Sequence, residues 1–261
     1  MSETPRSGET GSDTSTGLPQ RRTGHAFAHT PHRSDGRSPQ TPRGARQPDP
    51  GGRPGTTPPV PGRPAILLAA LCAALFALIT WQVLVSGPLL TPDAHLSRAL
   101  VRTVPDAVTQ RLSDFGNVPV AVPVLLLTVL YAARRGDRRG AAAAAAAMAL
   151  VPVLVVPLKE WTGRPGPLEP WAAGYYPSGH TATAYVAYTA AALLVAPHLR
   201  RRRRWPLALA AALTLLTTTG LILRGYHWPL DVLASLLMCT PLLLAVRAVI
   251  HRRSRPTPPG R

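Results

Sequence analysis

The chain has 261 residues, of which 46% are hydrophobic and only 5% aromatic, and its formal net charge is +17. The hydrophobic residues are mostly Ala, Leu and Val in long uninterrupted runs, which is typical of a membrane protein. The arginines occupy the tails and short clusters between these runs, so the charge reflects membrane topology and argues against nucleic-acid binding. Cys72 and Cys239 fall in different apolar runs, which argues against a disulfide.

The first segment, residues 1–62, is rich in Pro, Gly, Ser, Thr and Arg and has no hydrophobic periodicity. Such a segment cannot bury enough apolar surface to fold, so we predict a disordered tail. It also lacks the charged-then-apolar pattern of a cleaved signal peptide. A short basic tail is predicted at residues 252–261, which leaves residues 63–251 as the folded domain.

The domain between the tails contains six apolar runs, each close to the roughly 20 residues that cross about 30 Å of hydrocarbon. We therefore predict an all-α fold, a bundle of six transmembrane helices. The spans lie at about 65–87, 118–134, 140–158, 179–198, 205–224 and 229–250.

Arginine clusters alternate with the spans and predict the orientation of the chain in the cell membrane. They lie in the N-terminal tail, at residues 134–139, at residues 200–204 and at residues 247–255. The positive-inside rule makes all four cytoplasmic, so both termini are inside and residues 88–117, 159–178 and 225–228 face out. The first outer loop carries spaced apolar residues among three aspartates and predicts one or two amphipathic interfacial helices, which we interpret as a structural connector.

Polar residues converge on the outer ends of spans three to six. Taken singly, each has a structural explanation: Lys159 and Arg164 as snorkelling anchors, Ser178 as a helix N-cap, and a histidine as a satisfied interfacial side chain. Together they supply an anion site, a nucleophile and an acid. The set comprises Lys159, Arg164, Ser178, Gly179, His180, Arg224, His227 and Asp231.

The stretch Tyr-Pro-Ser-Gly-His at residues 176–180 predicts an anion site at a helix start. If Ser178 caps the fourth span, the free backbone amides of Gly179 and His180 point at whatever anion lies there. Phosphate suits such a site. The only lysine of the chain, Lys159, and the guanidinium of Arg164 would supply charge for its oxygens.

The stretch His-Trp-Pro-Leu-Asp at residues 227–231 predicts an activated nucleophile. The spacing lets Asp231 accept a hydrogen bond from one imidazole nitrogen of His227, which fixes the tautomer and leaves the other nitrogen free to attack. His180 would then protonate the leaving oxygen.

These motifs resemble the type 2 phosphatidic acid phosphatase family of integral membrane lipid phosphatases, which shares its core with vanadium haloperoxidases. The family signature is Lys-x6-Arg-Pro, then Pro-Ser-Gly-His, then Ser-Arg-x5-His-x3-Asp. The second motif is intact at residues 177–180, and the His-x3-Asp half of the third is intact at His227 and Asp231. The resemblance covers residues 65–250. It implies a phosphatase that needs no metal or other cofactor, in which His227 becomes phosphorylated, Asp231 orients it and His180 acts as the acid.

The chain departs from the family signature at both arginines. Gly166-Pro167 stands where the first motif has Arg-Pro, and Arg164 lies two residues early. Gly220-Leu221 replaces Ser-Arg, and Arg224 stands three residues after Leu221, on the same face of a helix. Our hypothesis is that Arg164 and Arg224 bind the phosphate in place of the family arginines.

The resemblance implies hydrolysis of a lipid phosphate or diphosphate that arrives laterally from the bilayer. Phosphatidate, phosphatidylglycerol phosphate and polyprenyl diphosphates such as undecaprenyl diphosphate are all candidate substrates. Two alternatives stay open: a phosphotransferase on the same core, and a catalytically impaired lipid-binding membrane protein. The expected partners are membrane lipids and not nucleic acid, with residues 200–204 attracting anionic headgroups.

Overall fold

The structure is a computed structural model that describes residues 63–199 and 204–253. The predicted N-terminal tail, and the C-terminal tail from residue 254 onward, lie outside the described residues. Within the described ranges the chain is helical and contains no strand. The helices are α1 Arg63–Leu84, α2 Leu90–Leu100, α3 Asp106–Asp114, α4 Val118–Arg134, α5 Arg138–Thr162, α6 Gly179–Val195, α7 Trp205–Arg224 and α8 Pro229–Arg253.

The predicted six-helix membrane bundle is confirmed, with one span shorter than expected. Five helical stretches in the described residues are long and apolar enough to cross a membrane, one of them formed by α3 and α4 together. The sixth is α6, which has 17 residues and continues into a 3-10 turn at Ala196–His198. The chain is therefore a multi-pass membrane protein.

Helix α6 forms the centre of the bundle and packs against α4, α5, α7 and α8. Eleven of its 17 residues are buried, and most of these are Ala or Thr. Small side chains let neighbouring helices approach closely, which is how helices associate in a membrane. The outer helices carry exposed apolar side chains such as Leu67, Leu127 and Val153, which face lipid.

Four helix ends bring the predicted site residues to one end of the bundle. Helix α5 ends at Gly163 and α7 at Gly225, both in the left-handed conformation that glycine adopts without strain. Ser178 caps α6, because its hydroxyl accepts a hydrogen bond from the amide of Thr181 at 3.3 Å. Helix α8 begins at Pro229, where the missing amide proton costs nothing.

The first outer loop contains two helices, α2 and α3, within the residues predicted to form one or two. The interpretation of this loop as a structural connector stays a prediction; in α2, Asp93 is buried against Arg164 of the predicted site. Helix α3 packs on α7 at Gly220, where an added Cβ would lie 2.6 Å from the amide nitrogen of Ser113. The family serine at that position would have no room here.

Candidate active site

A cavity of about 750 Å³ opens at the end of the bundle where α5 ends and α6 begins. Four predicted site residues line it: Lys159, Gly179, His180 and His227. Its remaining wall is mostly apolar and comes from α4 and α5. The main apolar lining residues are Val118, Val122, Met148, Val151, Val155 and Val156.

His227 and Asp231 are paired as their spacing predicts. Nδ1 of His227 lies 3.3 Å from Oδ2 of Asp231, and the same oxygen accepts a hydrogen bond from the backbone amide of Trp228 at 3.1 Å. His227 is 6% exposed and Asp231 is fully buried. A proton on Nδ1 donated to this carboxylate leaves Nε2 unprotonated, with its lone pair available.

Arg164 binds the second oxygen of the same carboxylate. Its Nη1 lies 2.6 Å from Oδ1 of Asp231, its Nη2 lies 2.5 Å from Oδ2 of Asp93, and its guanidinium carbon is 5.2 Å from the ring centroid of Trp228. Arg164 is 6% exposed and does not line the cavity. Both terminal nitrogens of the guanidinium are therefore bound by carboxylates, one from Asp93 and one from Asp231.

Asp93 is a site residue that the sequence motifs do not predict. Its Oδ1 accepts a hydrogen bond from the amide of Leu230 at 2.9 Å, so it holds the first turn of α8 as well as Arg164. Burial raises the pKa of the Asp93 carboxyl above its ordinary value of 3.8, although the contact with Arg164 acts in the opposite direction. The sequence shows only an aspartate in a predicted amphipathic helix. No local sequence pattern indicates that its partner is Arg164, 71 residues away.

His180 is exposed to the cavity and is oriented by Asn117, at the start of α4. The distance between Nε2 of His180 and Oδ1 of Asn117 is 2.7 Å. The amide group of Asn117 in turn donates to Asp114 at 2.9 Å, which leaves its carbonyl oxygen to accept the proton on Nε2. The imidazole is thus held in place while its other nitrogen stays free.

Lys159 and Ser178 hold the loop and the helix start that frame the cavity. Nζ of Lys159 donates to the carbonyl oxygen of Gly174. The amide of Ser178 donates to the carbonyl oxygen of Asp231 at 3.2 Å, and its own carbonyl accepts from Ser235 at 2.8 Å. These contacts fix the start of α6 against the start of α8.

Arg224 lies apart from the other predicted residues. It forms an ion pair with Asp106 of α3 at 2.5 Å, and its guanidinium carbon is 5.5 Å from the ring centroid of Tyr226. It is not among the residues that line the cavity. The structure therefore groups seven of the eight predicted residues and leaves Arg224 on the α3 side of α7.

Tyr175 occupies the space beside the missing family arginine. A Cβ added to Gly166 would lie 2.6 Å from Cζ of Tyr175, and the ring centroids of Tyr175 and His227 are 5.8 Å apart with their planes at 64°. The hydroxyl of Tyr175 donates to Glu169, and this bond raises the pKa of Tyr175 to about 12. The tyrosine therefore stays protonated at neutral pH.

The cavity lining lacks the arginines expected in the family. Leu221, at the position of the second family arginine, is fully buried. Among the described residues, Lys159 is the only lysine or arginine that lines the cavity. The same part of the chain contains no group of three or more His, Cys, Asp or Glu side chains placed to bind a metal ion.

Comparison with known proteins identifies the domain that carries this site. Residues 140–255 match the sequence model of the PAP2 superfamily. This part of the chain is similar to the PAP2 superfamily. The resemblance inferred from the sequence motifs is confirmed, and the matched residues contain all eight of the predicted site residues.

A solved structure shares the fold of this chain. The crystal structure of the first transmembrane PAP2 type phosphatidylglycerolphosphate phosphatase from Bacillus subtilis matches with a TM-score of 0.63 and 18% sequence identity. The match covers 70% of this chain and 96% of that one. No curated protein matches this sequence.

Proposed function

We propose that this protein is a membrane phosphatase that hydrolyses a lipid phosphate or diphosphate through a phosphohistidine intermediate on His227. The observation that carries the proposal is the arrangement at the cavity. His227 reaches the cavity with Nδ1 held by a buried carboxylate, and Lys159 and His180 line the same space. A purely structural bundle has no need of this arrangement.

The wall of the cavity supports a lipid substrate. Apolar side chains of α4 and α5 line the same cavity as Lys159, where an acyl or prenyl chain would bury its surface. The phosphate would meet Lys159 and the free amides at the start of α6. Phosphatidate, phosphatidylglycerol phosphate and polyprenyl diphosphate all combine these two parts.

The reaction proceeds in two steps. Nε2 of His227 attacks phosphorus, the ester oxygen–phosphorus bond breaks, and protonated His180 gives its proton to the leaving oxygen. A water molecule then attacks the phosphohistidine, His180 takes a proton from that water, and the phosphorus–nitrogen bond breaks to release phosphate. Charge that develops on the phosphoryl oxygens is stabilised by Lys159 and by the backbone amides of Gly179 and His180.

The contacts of Arg164 favour a positioning role in place of the phosphate-binding role that the sequence predicts. Its guanidinium offsets the buried charge of Asp231 and fixes the carboxylate that orients His227. Asp93 fixes the arginine from the other side. A buried ion pair of this kind is costly to break, because removal of one member leaves the other uncompensated. For Arg224, phosphate binding stays a prediction.

One alternative has an observation in its favour. The described part of the cavity lining contains no arginine, and Tyr175 fills the space beside Gly166. This favours a catalytically impaired protein that still binds a lipid phosphate. A phosphotransferase would use the same residues as a hydrolase, with an alcohol in place of water.

We place the cavity on the extracytoplasmic side and both termini in the cytoplasm. The support is the distribution of arginine. The connection between α4 and α5, at the other end of the bundle, carries four arginines: Arg134, Arg135, Arg138 and Arg139. Labelling of single cysteines introduced at residue 136 and in the loop after α5 would test the orientation in intact cells.

The decisive experiment is a phosphate-release assay on the purified full-length protein in detergent with EDTA. The panel comprises phosphatidate, phosphatidylglycerol phosphate and a polyprenyl diphosphate, and His227→Ala is the control. We expect release from at least one lipid and none in the control, together with an acid-labile, alkali-stable phosphoryl label on the wild-type chain. Release at the wild-type rate by His227→Ala would refute the mechanism. Wild-type binding of these lipids without release would favour the impaired protein, and product formation on an added alcohol would favour the transferase.

A further inference from the structure

A second cavity, of about 810 Å³, lies at the opposite end of the bundle. Helix α6 lines both cavities, with Gly179, His180 and Thr183 at the first and Tyr185, Thr189 and Leu193 at the second. A helix has about 3.6 residues per turn, so the two sets lie on different faces of α6. Among the described residues none lines both cavities, so the second cavity is separate from the candidate active site.

Three basic side chains line the second cavity: Arg204, Arg247 and His251. Each is exposed, and none forms an ion pair or a hydrogen bond with the described part of the chain. Arg204 comes from the start of α7, whereas Arg247 and His251 come from the last turns of α8. Two separate helices thus place unpaired cations around one cavity, which creates a positive potential that favours an anion.

The wall of the second cavity is apolar and is suited to a hydrocarbon chain. It comprises leucines of α1, α6, α7 and α8 together with Ile250. A polar pair lies within it, where the hydroxyls of Tyr185 and Thr240 are 3.2 Å apart. The apolar lining residues are Leu68, Leu193, Leu207, Leu243, Leu244 and Ile250.

We propose that the second cavity binds an anionic phospholipid, with its phosphate between Arg204 and Arg247 and an acyl chain against the leucine wall. A free inorganic anion would use the cations and leave the apolar wall without a partner. An uncharged lipid would use the wall and leave the cations unpaired. An anionic lipid satisfies both, and basic pockets between transmembrane helices are suited to such headgroups.

The bound lipid would join four helices of the bundle, because the cavity is lined by α1, α6, α7 and α8. A ligand that binds only the folded state stabilises it in proportion to the logarithm of its concentration. The proposal concerns binding at the far end of α6 and does not depend on phosphatase activity.

The test is the thermal unfolding of the full-length protein in a neutral detergent, titrated with phosphatidylglycerol, phosphatidylcholine or inorganic phosphate. We expect phosphatidylglycerol to raise the unfolding temperature and the other two to have no comparable effect. Phosphatidylglycerol is a phosphodiester, so a phosphatase for terminal phosphates would not consume it. An equal shift with phosphatidylcholine, or with inorganic phosphate alone, would overturn the proposal.

Variants locate the site. The double variant Arg204→Gln/Arg247→Gln is expected to lower the apparent affinity for phosphatidylglycerol by about tenfold or more. Arg139→Gln, an exposed arginine in the first turn of α5, is the matched control and should keep wild-type affinity. Wild-type affinity in the double variant would refute the site.

Photo-crosslinking supplies a second, independent measurement on the unmodified chain. A phosphatidylglycerol with a photoreactive group on one acyl chain should label residues of the leucine wall, identified by mass spectrometry. Labelling confined to the lipid-facing surface or to the first cavity would contradict the proposal.

Discussion

Arg164 and Asp231 form a buried ion pair, with 2.6 Å between Nη1 and Oδ1, and the other carboxylate oxygen of Asp231 lies 3.3 Å from Nδ1 of His227. The carboxylate thus connects the proposed nucleophile to an arginine that does not reach the cavity. Asp93 holds the opposite side of the same guanidinium. Four side chains from α2, the loop after α5, the loop before α8 and α8 itself form one continuous network.

This network predicts the kinetic effect of Arg164→Ala. We expect kcat to fall by about 10- to 100-fold while KM for the lipid changes little, because the orientation of the nucleophile is lost and no substrate contact is removed. Arg164→Lys should keep more of kcat than Arg164→Ala does, because a lysine keeps the positive charge but lacks the two guanidinium nitrogens that bind both carboxylates. Steady-state kinetics on the lipid that the panel identifies would measure this. A raised KM with unchanged kcat would instead make Arg164 a substrate ligand.

The buried carboxyl of Asp93 predicts how stability depends on pH. Because burial raises its pKa above 3.8, folding favours the protonated carboxyl, and this contribution is lost as pH rises through the folded-state pKa. The wild type should therefore lose stability relative to Asp93→Asn as pH rises from 4 to 7. Asparagine keeps an oxygen that can accept from the amide of Leu230. Thermal unfolding of both proteins across this range measures the difference, and a wild-type advantage that grows with pH would contradict the prediction.

The contact between Asn117 and His180 predicts a positioning effect. Asn117→Ala should lower kcat about tenfold, because the imidazole loses the acceptor 2.7 Å from Nε2. His180→Ala should lower kcat further, and the double variant should be no worse than His180→Ala alone. If the loss of log kcat in the double variant equals the sum of the losses in the two single variants, Asn117 acts independently of His180.

Local motifs predicted part of this site because their partners lie within one helical turn. The i,i+4 spacing of His227 and Asp231 fixes their contact, and the cap at Ser178 follows from the residue type before an apolar run. The six spans were predicted from length and hydropathy alone. The sequence therefore predicted the contact between His227 and Asp231 and the start of α6, whereas the catalytic roles of these residues stay predictions.

Long-range packing determined what the sequence could not predict. The ion pair between Asp93 and Arg164 depends on where α2 packs against the first turn of α8, which no local sequence pattern predicts. The position of Arg224 depends on the packing of α3 against α7, which brings Asp106 within 2.5 Å. Spacing within the motifs carries no information about the carboxylates of the first outer loop, so it predicts neither ion pair.

The contact between Gly166 and Tyr175 predicts that an arginine at the family position needs a second substitution. Gly166→Arg alone should destabilise the fold, because its Cβ would lie 2.6 Å from the tyrosine ring. Gly166→Arg/Tyr175→Ala removes that obstacle and places a guanidinium next to His227. We expect phosphate release about tenfold above that of the Tyr175→Ala control, since an added cation stabilises the transferring phosphoryl group. No gain over the single variant, with the fold intact, would show that the site does not depend on an arginine there.

The close approach of α3 to α7 predicts the effect of restoring the family serine at Gly220. An added Cβ would lie 2.6 Å from the amide nitrogen of Ser113 and 2.8 Å from the carbonyl oxygen of Thr109, both backbone atoms that cannot rotate away. Gly220→Ser and Gly220→Ala should therefore each destabilise the protein by about 1–3 kcal/mol, despite the better helix propensity of alanine. Thermal unfolding in detergent measures this, with Gly179→Ala as the control, because a Cβ there meets its nearest neighbour at 3.8 Å. Unchanged stability in Gly220→Ser would mean that α3 moves freely away from α7, and Arg224 would then be able to leave Asp106 for the cavity.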